Sequence, residues 1–253
     1  MSNQIEFIWG AYPKVTLEWA TPDWVVAMAT RGYTGDYSGE ISAADVSRFW
    51  YELKETKLKT PLEMASTFWL LEDVSRAFTQ QLARYRQGIS IVQESQRFAI
   101  QGEGIREGEI ENKPRVLVPK NIVDSPMLEE YCEAITRSSE TYWKYIYEGG
   151  DIQDARSLLP LATCTRLYLS VNVKTLVHIY EQRMCCQAQA EEWGKVMYEM
   201  KLSLQKNNFH NYSNQLQPPW KNKNVVSCGF GASFDRPCIH QDLFRHNLLA
   251  KEI

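Results

Sequence analysis

Between Leu62 and Phe98 the chain changes character repeatedly without a gap, and this run constrains the fold more than any other. MASTFWLL is a short, continuous apolar run. Its brevity, and the acids Glu72 and Asp73 that end it, favour a buried strand over a helix. Val74, Ala77, Phe78, Gln81, Leu82 and Tyr85 then recur at helical spacing on one face, with Asp73 as the expected N-cap. That helix delivers Gln81 and Arg84, neighbours on its surface, to the stretch RYRQGISIVQESQRF. There Gly88 and the β-branched Ile89, Ile91 and Val92 interrupt any helix, so the three arginines and two serines must converge from a turn. Arginine forks hold phosphate, and serine hydroxyls and glutamine amides supply directional bonds to a polar ring. The pattern calls for a bound nucleotide.

Composition sets outer limits on that reading. A chain of 253 residues with 44% hydrophobic and 23% charged residues can build one sizeable core, or a core plus an appendage, and one domain is the expectation. A formal charge of −3 gives no global attraction to nucleic acid, so no nucleic-acid partner is expected and an anion site must be built locally from arginines. No apolar run reaches transmembrane length, and MSNQIEF lacks the basic and apolar regions of a signal peptide, which predicts a cytoplasmic chain without a membrane partner. Cys132, Cys164, Cys185, Cys186, Cys228 and Cys238 are scattered, and reduced thiols are expected. CGFGASFDRPCIH gathers Cys228, Cys238 and His240 but not four ligands at tight spacing, so it reads as a glycine-rich loop and no metal site is predicted.

Other signals place the remaining elements. Thr21-Pro22-Asp23 reads as an N-cap and first turn, and Ser42 with Asp45 opens a second helix bearing Val46, Phe49, Trp50 and Leu53. RGYTGDYSGE between them is a loop, as is the polar stretch 99–114 ahead of the strand RVLVP. Ser125-Pro126 starts a helix whose core positions are Leu128, Cys132, Ile135, Tyr142, Tyr145 and Ile146, ending at Gly149-Gly150. Pro160 ends a short helix, LYLSV alternates like a strand, and Asn172 caps a long helix with Leu176, Ile179, Tyr180, Arg183, Met184 and Gln187 on one stripe. An arginine within an apolar stripe is costly unless it meets an anionic or hydrogen-bonding ligand, or a structural ion pair. Lys174 and His178 form a neighbouring polar row, which is also what a solvated face looks like.

These residues resemble the flavin-dependent thymidylate synthases. That family's hallmark is Arg-His-Arg, seven residues, then a serine followed two residues later by an arginine; here it stands as Arg84-Tyr85-Arg86, eight residues, Ser95 and Arg97. LEMASTFWLLEDVSRAFTQQLARYR is similar to the family's approach to the hallmark, and ARSLLP with the helix from Asn172 to Glu191 resembles its second nucleotide and flavin segment. The likeness spans roughly residues 15–200 and implies an α/β (α+β) fold of long helices packed on a mostly antiparallel sheet, in a homotetramer with sites shared between chains. It implies a domain over 1–205 and leaves 206–253 as an extension without an assigned role.

The activity so implied is transfer of a one-carbon unit from methylenetetrahydrofolate to the five-position of dUMP, with reduction, giving dTMP; FAD is the cofactor and NADPH the reductant. Carried over by position, Gln81, Arg84, Ser95, Gln96, Arg97, Arg156 and Arg183 fall to the pyrimidine deoxynucleotide monophosphate, with Arg183 catalytic through the ionised imide. Thr60, Arg84, Tyr85, Arg86, Asn172, Lys174 and His178 fall to the flavin, and Gln93 lies near both ligands. Ser95 has no evident base and reads as a hydrogen-bonding group. The chain departs from the family where Tyr85 replaces the hallmark histidine and where Leu58, Met64 and Gln187 replace others. A related modification, such as hydroxymethylation of dUMP or dCMP, and a nucleotide-binding protein without catalysis are the alternatives.

Overall fold

The computed structural model describes residues 5–37, 40–56, 59–97, 114–185 and 190–218. Leu58, Gln187, Cys186, the loop expected at 99–114 apart from Pro114, and the segment bearing Cys228, Cys238 and His240 lie outside them. The strands are β1 (Glu6–Trp9), β2 (Lys14–Ala20), β3 (Ser66–Ser75), β4 (Ile89–Gln93), β5 (Arg115–Val118) and β6 (Cys164–Asn172). The helices are α1 (Trp24–Arg31), α2 (Ala43–Glu55), α3 (Arg76–Leu82), α4 (Lys120–Val123), α5 (Leu128–Tyr147), α6 (Ile152–Ala155), α7 (Val173–Arg183), α8 (Ala190–Lys206) and α9 (His210–Gln215). β1 and β5 form a two-stranded sheet, and a four-stranded sheet has the order β2-β3-β6-β4. Helices and sheets together make the α/β class that the sequence predicts.

Two units divide the chain. The first takes the described residues of Met1–Pro13, Leu71–Arg84 and Val92–Leu167. In it β1 pairs with β5 in parallel, from Glu6 opposite Arg115 to Trp9 opposite Val118. Ala11, Leu117 and Cys164 make a small core cluster with Ile8 against it. Arg115 pairs with Asp73 and, at 3.3 Å, with Glu6. Asp73 therefore does not cap α3. It sits within β3 in the left-handed region, φ 58°, with its carboxylate on Arg115. The N-cap is Ser75, whose hydroxyl accepts from Phe78 N at 3.1 Å, so the helix starts later than the apolar spacing suggests. Val74 belongs to the strand but is buried like Phe78 and Leu82, which is why a helical period ran through it.

α5 also corrects the sequence reading. It begins at Leu128, because Ser125 uses its hydroxyl to accept from Met127 N at 3.0 Å one turn earlier. Its buried face is Ile135, Ser139 and Tyr142, spaced i, i+4, i+7. Tyr145 is exposed and Leu128, Cys132 and Ile146 are only half-buried, so the stripe is narrower than the apolar residues suggest.

The second unit takes the described residues of Lys14–Leu70, Tyr85–Ile91 and Tyr168–Ile253. α2 opens with the expected capping box: Asp45 N donates to Ser42 Oγ at 3.1 Å and Ser42 N to Asp45 Oδ2 at 3.2 Å. The Ser42 hydroxyl bond is the main cause of a lowered Asp45 pKa. α1 is capped at Asp23 instead of Thr21; the Thr21 hydroxyl accepts from Ser66 N at 3.0 Å and so serves the strand. Tyr212 and Leu216 at α9 are fully buried, and the Tyr212 hydroxyl donates to Thr21 O at 2.7 Å. Asn172 caps α7 as expected, accepting from Thr175 N at 2.8 Å. The helix stops at Arg183, however, short of the continuous span to Glu191. Neither proline nor glycine marks the stop, so the period alone could not reveal it.

The turn after Arg86 is fastened to the start of α7. Asn172 N donates to Gly88 O at 2.8 Å, and the Thr175 hydroxyl to Gln87 O at 2.9 Å. Gly88 has φ +66°, and a Cβ there would lie 2.6 Å from Asn172 Cγ and 2.7 Å from Thr175 Oγ1. Gly35 has φ +72° with nothing within 4 Å of such a Cβ. Gly35→Ala therefore meets only left-handed strain, about 1 kcal/mol or about 2–4 °C in melting temperature, whereas Gly88→Ala adds overpacking and should lose roughly 5–15 °C. Melting curves of the two variants side by side check this, and equal losses would mean that Asn172 gives way freely.

Candidate functional site

The first unit holds a cavity of about 590 Å³ whose lining includes Arg76, Gln80, Gln93, Gln96 and Arg156. Arg76 and Gln80 come from one face of α3, the face opposite its buried Phe78 and Leu82. Arg156 follows α6, whose N-cap Asp151 accepts from Gln153 N at 2.7 Å. Gln93 ends β4 and donates through Nε2 to the Thr79 hydroxyl at 3.0 Å, which orients its amide.

Arg76 is the electrostatic centre of this cavity. Burial lowers its pKa, the nearby Glu94 carboxylate raises it, and the Arg156 charge lowers it again. Its Nη2 donates to Glu94 O at 2.9 Å, but its Nε is buried without a hydrogen-bond partner among the described residues. Leaving such a donor unmet costs on the order of 1–3 kcal/mol. Two guanidiniums and an unmet N–H on one cavity suit an oxyanion with several acceptor oxygens, a phosphate being the obvious case.

Of the nucleotide residues expected from the sequence, Gln96 and Arg156 line the cavity, and so does Gln93. Gln81, Arg84, Ser95 and Arg97 belong to the same unit without lining it. Arg84 is exposed just past α3, with its backbone N–H on Gln81 O at 3.2 Å. The Ser95 hydroxyl accepts from Arg97 N at 3.2 Å in a local turn. Arg76, Thr79 and Gln80 escaped the sequence reading. Their signal was present, since Arg76, Thr79, Gln80 and Ala83 follow i, i+3, i+4, i+7 along the polar side of the helix whose apolar side was read.

Arg183 lies in the second unit. It is half-buried at the end of α7, where its Nε donates to the Tyr85 hydroxyl at 2.9 Å. Its guanidinium carbon sits 4.4 Å over the Trp193 ring and 5.5 Å over the Tyr85 ring. Tyr85 in turn donates to Gln182 Oε1 at 2.8 Å and meets His178 edge-on at 6.3 Å. Trp193 and Gln182 were invisible to sequence reasoning, because a tryptophan on another helix carries no local sign of the cation it faces.

Of the residues expected at the flavin, Asn172 and Lys174 stand at the start of α7 and His178 farther along it, whereas Tyr85 packs against its end and Arg84 and Gln93 belong to the first unit. Lys174 pairs with Glu63 of the short 3-10 turn that Thr60 opens, and both side chains are substantially exposed. Arg86, Thr60 and His178 are exposed. Val173 N donates to Ala65 O at 2.8 Å and Thr175 N to Asn172 Oδ1 at 2.8 Å, so these first N–H groups of α7 are already engaged. Arg86 and Thr60 are exposed donors of the kind that suits an anion, while Lys174 is already paired with Glu63.

The family model described as thymidylate synthase complementing protein matches residues 14–207. A flavin-dependent thymidylate synthase of Geobacter sulfurreducens is 31% identical over 154 residues, 60% of this chain and 62% of that protein. One from Pyrococcus furiosus is 29% identical over 184 residues, 71% of this chain and 69% of that protein. The chain thus spans about three fifths of the length of the Geobacter relative. Among solved structures, thymidylate synthase X from Helicobacter pylori with FAD and dUMP superposes with a TM-score of 0.63 at 15% identity, covering 81% of this chain and all of that one. A UMP/dUMP methylase from Streptomyces cacaoi bound with 5-Br dUMP gives 0.62 at 18% identity, covering 78% and 92%. At these identities the two superpositions speak for the fold, while the sequence match runs through the arginine-bearing turn, α3 and α7. The chain belongs to the thymidylate synthase complementing protein family.

Proposed function

We propose that this protein is a flavin-dependent thymidylate synthase, converting dUMP to dTMP with methylenetetrahydrofolate as one-carbon donor, NADPH as reductant and FAD as cofactor. The observation that carries the reading is the cavity where Arg76, with its unmet Nε, and Arg156 face one volume alongside Gln96. The nucleotide phosphate answers those charges. The named activity of the Geobacter and Pyrococcus relatives, and the ligands of the Helicobacter enzyme, support the same assignment. We assign Gln81, Arg84, Ser95, Gln96, Arg97 and Arg156 to the nucleotide, and Thr60, Arg84, Tyr85, Arg86, Gln93, Asn172, Lys174 and His178 to the flavin side.

Bound FAD supplies reducing equivalents to the one-carbon unit. The chain's own part is electrostatic. Arg183, held over Trp193, stabilises negative charge on the pyrimidine imide, which raises the electron density at the five-position. Arg86, and Lys174 once it exchanges Glu63 for the ligand, would hold the cofactor's phosphates, and the amide of Gln93, oriented by Thr79, would serve as a directional donor. We infer a homotetramer with shared sites. Trp9, Tyr12, Trp19 and Tyr51 are half-exposed or more, surface that assembly would cover. No described helix is long and apolar enough to cross a membrane, and we assign the protein to the cytoplasm. The domain is taken as 1–205, with 206–253 an extension of unassigned role.

The direct test incubates the protein with FAD, NADPH, methylenetetrahydrofolate and dUMP and reads product mass. dTMP is expected. A hydroxymethylated product, or turnover of dCMP instead, would replace this reading, and nucleotide binding without product would leave a binding protein.

Arg183→Ala should lower turnover about tenfold to a thousandfold, with flavin absorbance per chain retained, and Arg183→Lys should restore only part because an ammonium lacks the planar fork. Single-turnover rates beside melting curves check this. Normal turnover in a folded Arg183→Ala protein would remove the residue from the chemistry.

Arg156→Gln should weaken dUMP binding about tenfold to a hundredfold, the worth of one charge-assisted hydrogen bond. Because it also removes the like charge beside Arg76, the ligand-free melting temperature should hold or rise. Calorimetric titration and a ligand-free melt read the two effects separately.

A further inference from the structure

Tyr85 occupies the middle of the Arg-x-Arg turn, where the resembled family carries histidine, and its hydroxyl joins two consecutive residues of α7. The hydrogen goes to Gln182 Oε1 at 2.8 Å, which turns an oxygen lone pair toward Arg183 Nε–H at 2.9 Å. Trp193 lies beneath the guanidinium at 4.4 Å, and the Tyr85 and Trp193 rings meet edge-on at 6.4 Å. A hydrogen bond at Nε fixes the rotation of the guanidinium, and the indole face fixes its height. An arginine at a helix end otherwise samples many rotamers, and ordering it on ligand arrival costs side-chain entropy. Here much of that ordering precedes the ligand.

The chemistry of position 85 matters as well. A neutral imidazole can accept from Arg183 Nε–H through one ring nitrogen, but an imidazolium has two donors, no acceptor, and a charge that repels the guanidinium. A phenol is donor and acceptor at once and does not titrate between pH 5 and 8. We infer that Tyr85 is a positioning residue for Arg183, relayed by Gln182, and that it holds the guanidinium in one orientation across a pH range in which histidine would release it. The effect on turnover rests on the proposed role of Arg183; the hold itself does not.

The test uses the full-length protein loaded with FAD, comparing Tyr85→Phe, Tyr85→His and Gln182→Ala with the parent. One arm needs no turnover: in protein labelled with ¹⁵N-arginine, solvent exchange of the Arg183 Nε–H, assigned by its absence in Arg183→Lys, is measured directly. Exchange should quicken about tenfold or more in Tyr85→Phe and by less in Gln182→Ala, whose exposed side chain can be cut back without disturbing the core. The second arm reads kinetics. Tyr85→Phe should lower kcat about threefold to thirtyfold at saturating FAD, with the KM for dUMP little changed. Tyr85→His should recover most of the loss at pH 8 and forfeit it as pH falls through about 6.5, where an ordinary histidine takes up its proton. Unchanged exchange in both Tyr85→Phe and Gln182→Ala overturns the inference. Quickened exchange with unchanged kcat and no pH dependence in Tyr85→His overturns it too, leaving the tyrosine a structural contact. A parent protein that makes no dTMP refutes the proposed function, while the exchange arm still decides whether Tyr85 holds Arg183.

Discussion

The contact between Gly88 and Asn172 seats the arginine-bearing turn against the start of α7, with the Thr175 hydroxyl on Gln87 O beside it. Asn172 does two jobs there: its side chain caps the helix, and its backbone N–H holds Gly88 O. A residue with a Cβ cannot occupy position 88 without displacing that cap, so the turn has one way to seat. Tyr85 stands three residues before the contact and Arg183 at the far end of the helix, and both depend on the seat being rigid. The cost is the entropy of an ordered glycine, offset by two backbone acceptors, Gly88 O and Gln87 O, that would otherwise lack partners here.

The two arginines that matter most are stabilised in opposite ways. Arg183 is satisfied in advance, with a hydroxyl at Nε and aromatic faces beneath the cation. Arg76 is left unfinished: its Nη2 donates to the backbone of Glu94, its Nε has no partner among the described residues, and the charge of Arg156 opposes it. A fold selected for stability alone would neutralise such a pair or fill the cavity. Tension of this kind is released by a multivalent anion, which connects the energetics of the first unit to the proposed nucleotide binding.

The same contrast bears on the histidines missing from this chain. Replacing an imidazole by a phenol at position 85 keeps an acceptor for Arg183, so the hydrogen bond to the guanidinium survives a change that looks severe in the hallmark. Met64, at another such position, is exposed at the end of the turn opened by Thr60 and provides no donor in return. Loss of a histidine therefore has different consequences at the two places, decided by whether a neighbour needs an acceptor.

The α/β class came with the family resemblance, whereas local periodicity, caps and turns were legible because they depend on residues a few positions apart: the Ser42–Asp45 box, the Asn172 cap and the β3–α3 order all follow from such spacing. So did the concentration of phosphate-binding residue types in one stretch, and with it the family. What tertiary structure decided was every pairing between distant segments. Arg115 draws Asp73 away from the helix it was expected to cap, Ser139 of α5 is buried while Tyr145 of the same helix is exposed, and α7 stops at Arg183 although the apolar period runs on. Arg76 joins Arg156 only once segments remote in sequence are packed, and Trp193 joins Arg183 only once α8 packs on α7. Side-chain spacing specifies which face of an element is apolar, but the partner that face or charge meets is set by long-range packing, and no local pattern encodes it.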